Sequence, residues 1–178
     1  MFRRQSSRIV LSHPRLTVVE DDILLPDGIA STYLRFINTG FGVTLLCRRP
    51  DGTFLLQREY SYPPNERLLQ LPGGGGQEGE ETEQAANREL MEESGYRAGR
   101  LTPLGWWYLD NRRSDGKMHV FLATDLAEAS LPPDPEEVIE NVWMPEAELE
   151  RLIHDGEIVN AFLLAAWSLY RAKFPRSA

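Results

Sequence analysis

The chain has 178 residues, 42% of them hydrophobic and 26% charged, and carries a formal net charge of −8. That is enough chain for one domain with a substantial core, in the ordinary composition of a globular protein. The acidic balance argues against broad nucleic-acid binding, which needs a basic face, and no apolar run approaches membrane-spanning length.

The first seven residues lack the apolar stretch of a signal peptide. Cys47 is the only cysteine, so no internal disulfide is possible, and its place in an apolar run predicts burial. A cytoplasmic location is the resulting expectation. Residues 8–11, 16–25 and 29–37 read as strands, the last two joined by the turn signal Pro26-Asp27-Gly28. Residues 41–49 and 53–60 form a second candidate hairpin across Pro50-Asp51-Gly52, and 68–71 is a short extended piece. Next comes a glycine run, Gly73 to Gly76, and then a helical pattern with Thr82 as expected N-cap and Gly95 as stop signal. Residues 101–110, 117–125 and 137–143 read as strands, Pro145 opens a helix running to about His154, and a last helix covers about 158–174. Strands joined by hairpins and interleaved with a few helices predict a mixed sheet covered on both faces.

The chemistry lies in the stretch from Gly74 to Tyr96, GGGQEGEETEQAANRELMEESGY. At about 100° per residue, Glu89, Glu92 and Glu93 share a helical sector of roughly 100°. Ala86 and Leu90 flank that sector toward a sheet, and the small Ala85 leaves room inside it. Carboxylates so close raise one another's pKa unless a cation intervenes, and Mg²⁺ or Mn²⁺ prefers such oxygen ligands. Arg88 is placed to pair with Glu92 or to reach back to Glu80. The glycines offer close backbone approach, with amides and carbonyls available to an ion or phosphate.

Gly74, five residues, Glu80, seven residues and then Arg88-Glu89-Leu90-Met91-Glu92-Glu93-Ser94-Gly95-Tyr96 resemble the full signature of the Nudix hydrolases, with every fixed position filled. The resemblance implies an α/β fold, the Nudix α/β/α sandwich with a mixed β-sheet. The first 40 residues resemble the small N-terminal antiparallel β subdomain of the ADP-ribose pyrophosphatase branch, which commonly makes a homodimer and helps build the substrate site. The implied division is therefore residues 1–40 and a Nudix domain over 41–178. The implied activity is hydrolysis of a phosphoanhydride in a nucleotide-sugar, ADP-ribose or another ADP-sugar. GDP-mannose, dinucleoside polyphosphates and nucleoside triphosphates are the alternative substrates, and a non-enzymatic sensor is a further alternative. By the same resemblance Glu89, Glu92, Glu93 and the carbonyl of Gly73 hold the metal, while Gly74, Glu80, Arg88 and Gly95 support the site. The catalytic base falls either to Glu137, favoured among Asp134, Glu136, Glu137 and Glu140, or to Glu93.

Candidate substrate contacts are Arg58, Tyr60, Trp106 and Arg112. Aromatic faces stack on bases, and arginines clamp phosphates. One of Trp106 and Trp107 is expected in the core, because successive side chains on a strand point to opposite faces. The chain departs from the branch at Ser61, where an arginine is usual, at Arg112, where a proline is, and at Gln77, where a glutamate is frequent. His13, His119 and His154 show no ligand spacing.

Overall fold

A computed structural model of the chain describes residues 1–37, 40–133 and 138–175. Contacts divide it into two compact units, Met1–Phe41 with Trp107–Lys117, and Gly42–Trp106 with Met118–Ala178.

The first unit is a three-stranded antiparallel sheet of β1 (Arg3–His13), β2 (Leu16–Leu24) and β3 (Ala30–Ile37), with β2 in the middle. β1 starts five residues earlier than the sequence predicts. Its opening Arg-Arg-Gln-Ser-Ser offers no apolar alternation, yet Arg3, Arg4, Ser6 and Ser7 pair with β2 across a register shift at Gln5, Ser7 opposite Asp21. The excursion Trp107–Lys117 belongs to this unit because its backbone is tied to β3: Phe36 N–H donates to Arg113 O at 2.7 Å, and the Tyr33 hydroxyl donates to Arg112 O.

Asp21 sits on the covered face of β2 between Val19 and Ile23, only 6% exposed. It is satisfied by Arg35, whose Nε donates at 2.7 Å, and by the Ser7 hydroxyl. The Arg35 hydrogen bond holds the Asp21 carboxyl below its ordinary range. A carboxylate whose folded pKa is depressed adds stability above the unfolded value, about 3.9, and loses it as pH falls through the folded one. Asp21→Asn is therefore expected to cost about 1–3 kcal/mol at neutral pH. Its urea midpoint should also fall less steeply than wild type's below about pH 4. Parallel midpoint curves for the two proteins between neutral pH and pH 3 would refute this.

The second unit is built on a six-stranded mixed sheet. Its strands are β4 (Gly42–Arg48), β5 (Thr53–Ser61), β6 (Glu66–Gln70), β7 (Tyr96–Tyr108), β8 (Lys117–Glu128) and β9 (Ile139–Pro145). The order is β6-β5-β4-β8-β7, with β9 on the other edge of β5. β4 runs parallel to β8 and antiparallel to β5. Val43 through Cys47 are buried without alternation, the signature of a strand covered on both faces. Two helices pack on that strand, α1 (Thr82–Ser94) and α3 (Ala161–Lys173), while α2 (Glu146–His154) packs on β9. Phe54 of β5 meets Trp167 and Tyr170 of α3 edge-on, with ring centroids 5.2 and 5.4 Å away. Cys47 lies in this core, and burial pushes its thiol pKa far up. Among the described residues no helix is long and apolar enough to cross a membrane.

Several boundaries differ from the sequence reading. Glu81, not Thr82, caps α1: its N–H donates to Gln84 Oε1 at 3.2 Å, one half of a capping box. Pro145 ends β9 and precedes α2 instead of sitting in its first turn. Asn160 caps α3, its Oδ1 accepting from Leu163 N at 2.9 Å. β7 begins at Tyr96 rather than 101, because Gly95 (φ 74°) turns the chain straight from helix into strand. Neither Trp106 nor Trp107 is buried, although β7 buries Ala98 and Leu104 earlier along its length. Ala85 is fully buried together with Ala86 and Leu90, so it faces the core and not a space between carboxylates.

Candidate active site

After β6 the chain continues along the free edge of β4. Leu45 N–H donates to Pro72 O and Val43 N–H to Gly74 O, each at 2.9 Å, and Gly42 bridges Gly75. This leaves no space for a side chain at residue 73. A Cβ there would lie 2.1 Å from Val43 O, and the backbone holds φ +148°. The glycine run is thus a strand-like segment pressed against the central strand, and its exposed groups face α1.

Three consecutive glycines each meet one helix residue. Gly73 N–H donates to Glu93 Oε2 at 2.9 Å. The Glu89 carboxyl packs on the bare Cα of Gly74, where an added Cβ would stand 2.6 Å from it. Gly75 O accepts from Arg88 Nη2 at 2.7 Å. Arg88 does more than either expected pairing. Its Nε donates to Glu80 at 3.0 Å, and its Nη1 donates to both Glu89 and Glu92 at 2.8 Å. Glu80 also accepts from Gln77 N at 2.9 Å, which closes the loop onto the helix. Gly95 ends α1 through its N–H to Met91 O at 3.3 Å.

The expected carboxylate trio is thereby divided: Glu89 and Glu92 share Arg88, and Glu93 caps Gly73. Among the described residues no three acidic, histidine or cysteine side chains converge on one point. The donor set nevertheless suits a hard divalent cation, being made of carboxylate and backbone oxygens. Glu89 supplies the decisive observation. Its side chain is 12% exposed, and burial raises its pKa despite Arg88, with Glu92 and Glu80 adding repulsion. One guanidinium against Glu80, Glu89 and Glu92 leaves the cluster net negative, a balance that a cation beside Glu89 would complete. Glu80, by contrast, is held low, first by its hydrogen bond from Arg88.

A cavity of about 200 Å³ opens beside the loop, lined among others by Thr44, Gly73, Gly74, Met118, Asn160 and Phe162. Sequence reasoning missed Thr44, Asn160 and Phe162 because no local motif marks them.

The remaining candidates are not gathered at the glutamates. Arg58 and Tyr60 share the face of β5 that carries Phe54 and α3, by the alternation of a strand. Arg58 lies 4.0 Å from Glu140, and the Tyr60 hydroxyl donates to Asn65 Oδ1 at 2.7 Å. Trp106 is 49% exposed near the end of β7. Arg112 belongs to the first unit, where its N–H donates to Asp110 at 3.1 Å. Asp134, Glu136 and Glu137 lie outside the described residues.

A profile described as the NUDIX domain matches residues 38–165, well over half of the chain. The chain belongs to the NUDIX family. This Nudix hydrolase is 30% identical over 143 residues to the ADP-ribose pyrophosphatase of Bacillus subtilis (strain 168), covering 79% of this chain and 77% of the relative. It is 30% identical over 162 residues to the ADP compounds hydrolase NudE of Escherichia coli (strain K12), covering 90% and 87%. A crystal structure of an ADP compounds hydrolase superposes with a TM-score of 0.89 at 28% identity, covering 96% of this chain and 92% of the other.

Proposed function

We propose that this Nudix hydrolase cleaves the diphosphate of ADP-ribose or a related ADP-sugar, giving AMP and a sugar phosphate. The observation that carries the reading is the triple seam of Gly73, Gly74 and Gly75 on Glu93, Glu89 and Arg88. It sets the carboxylates of Glu93 and Glu89 and the guanidinium of Arg88 against three successive residues of the glycine segment. The choice of ADP-sugars over other nucleotides is supported by relatives named for ADP-ribose and ADP compounds.

Glu89, Glu92, Glu93 and the Gly73 carbonyl would hold the metal, Mg²⁺ or Mn²⁺, which when bound supplies positive charge against the diphosphate oxygens. Arg88 fixes the rotamers of Glu80, Glu89 and Glu92, so little reorganisation accompanies reaction. Water attacks one phosphorus, the bridging P–O bond breaks, and the bridging oxygen leaves on the other phosphate. A carboxylate takes the proton from the attacking water. Glu93 is our assignment for it, with Glu137 the competing residue. Trp106 is retained as a stacking platform and Arg112 as a phosphate contact. Arg58 and Tyr60 are not, since they share a sheet face with α3.

A homodimer accompanies this reading, supported by Ile9, Leu11 and Leu34 left exposed on the first unit's sheet. A cytoplasmic location and the absence of a nucleic-acid partner go with the buried lone thiol and the acidic charge.

The test is Mg²⁺-dependent hydrolysis with product identification on ADP-ribose, ADP-glucose, GDP-mannose, NADH, diadenosine polyphosphates and nucleoside triphosphates. AMP and ribose phosphate from ADP-ribose are expected. Silence on ADP-sugars beside turnover of GDP-mannose or a triphosphate would overturn the substrate assignment, and binding without turnover of any would favour a sensor.

A further inference from the structure

Gln57 is fully buried on β5, next to Leu55 and Leu56 in a core that is otherwise apolar there. A buried amide is costly unless it is bonded, so an apolar side chain would serve packing better. Its Nε2 donates to Asn141 Oδ1 at 3.4 Å, and Asn141 is its cross-strand partner on β9. Asn141 Nδ2 in turn donates to the backbone carbonyl of Glu93 at 3.1 Å. Gln57 Oε1 has no partner among the described residues.

The last four carbonyls of a helix have no intrahelical amide partner. In α1, Met91 O accepts from Gly95 N and Leu131 N, and Glu93 O accepts from Asn141. The final turn is thus fastened twice at Glu93, by its carboxylate to Gly73 and by its carbonyl to Asn141. Gln57 decides the second fastening. An asparagine amide has one acceptor end and one donor end. With Gln57 donating to the acceptor end, the donor end is left for the Glu93 carbonyl.

We propose that Asn141, its amide oriented by buried Gln57, is a positioning residue that holds Glu93 in place for hydrolysis. The inference rests on the role assigned to Glu93 above. Asn141→Asp keeps the side-chain shape but turns an acceptor toward the carbonyl. The double variant Gln57→Leu/Asn141→Leu removes the buried amide together with its exposed partner and leaves no buried amide unpaired, so it remains informative if the single variant fails to fold.

Each is assayed with ADP-ribose and Mg²⁺, and separately for binding of Mn²⁺ alone by titration calorimetry. We expect kcat to fall by about 10- to 100-fold with KM little changed, and Mn²⁺ binding to weaken to a similar degree. In a Glu93→Gln background the same substitutions should cause no further loss, because both act through one group. Wild-type kcat and Mn²⁺ affinity in the Asn141 variants, beside an inactive Glu93→Gln, would overturn this inference alone, and so would fully additive losses. Wild-type turnover in Glu93→Gln removes the role of Glu93, and this inference with it.

Discussion

Glu93→Gln is expected to abolish most turnover while leaving the protein folded. The reason lies in what the substitution keeps. Glutamine still offers an oxygen to Gly73 N–H, so the 2.9 Å contact that anchors the glycine segment to α1 survives. What disappears is one negative charge and one proton acceptor. Removing a single charge-stabilising group from such a site costs about 10² to 10³ in kcat. Thermal unfolding should shift little, since no buried group is left unpaired. Glu93→Ala differs by also losing the anchor, so it should lower stability as well as activity. Stopped assays of kcat beside thermal melts of both variants separate charge from anchoring. Near wild-type kcat in Glu93→Gln would mean that the proton is taken elsewhere, Glu137 being the next residue to change.

The largest effect on stability is expected from Gly73→Ala. The new Cβ would meet Val43 O at 2.1 Å and Thr44 Cα at 2.7 Å, both main-chain atoms of the central strand, which cannot swing aside. Overpacking and a backbone angle that alanine avoids act together, for about 3–5 kcal/mol. For a chain of this size that is a fall in Tm of roughly 10 °C or more. Gly74→Ala is the instructive contrast. Its Cβ would meet only the end of the Glu89 side chain, at 2.6 Å, and that can rotate away. It should melt near wild type yet lose activity, because Glu89 is displaced. Equal losses of Tm in the two variants would show that loop and strand are less tightly pressed together than described.

These two predictions also mark where the sequence was legible. The spacing of Glu89, Glu92 and Glu93 with Gly95 behind them identified helix, stop signal and family, because each rests on residues a few positions apart. Arg88 was placed correctly as a partner of Glu92 and Glu80, though the i+1 contact to Glu89 and the carbonyl of Gly75 were not anticipated. Long-range relations were the harder part. Nothing local tells that Gln57 and Asn141 face one another across β5 and β9, although a lone glutamine in the run Phe54 to Gln57 is a visible irregularity. Arg58 and Tyr60 were drawn to the site by chemistry alone. Counting positions along β5 from Phe54 would have set them on the α3 side once that core contact was known. The tryptophans misled because alternation fixes which side a residue faces and not where along a strand the cover ends: β7 buries Ala98 and Leu104 but neither tryptophan.

The pairing of β4 carries one more consequence. One edge of this strand is met by the glycine segment, which follows within the next few dozen residues, while the other edge waits for β8, much further along the chain. During synthesis the seam between Gly73, Glu93 and β4 can therefore close while the opposite edge is still bare. Until β8 emerges, the nascent chain presents an open edge on a largely apolar strand, the feature most prone to pairing with a neighbour. The period of greatest exposure to misassembly thus falls after the acidic helix has been made and before the second half of the sheet exists.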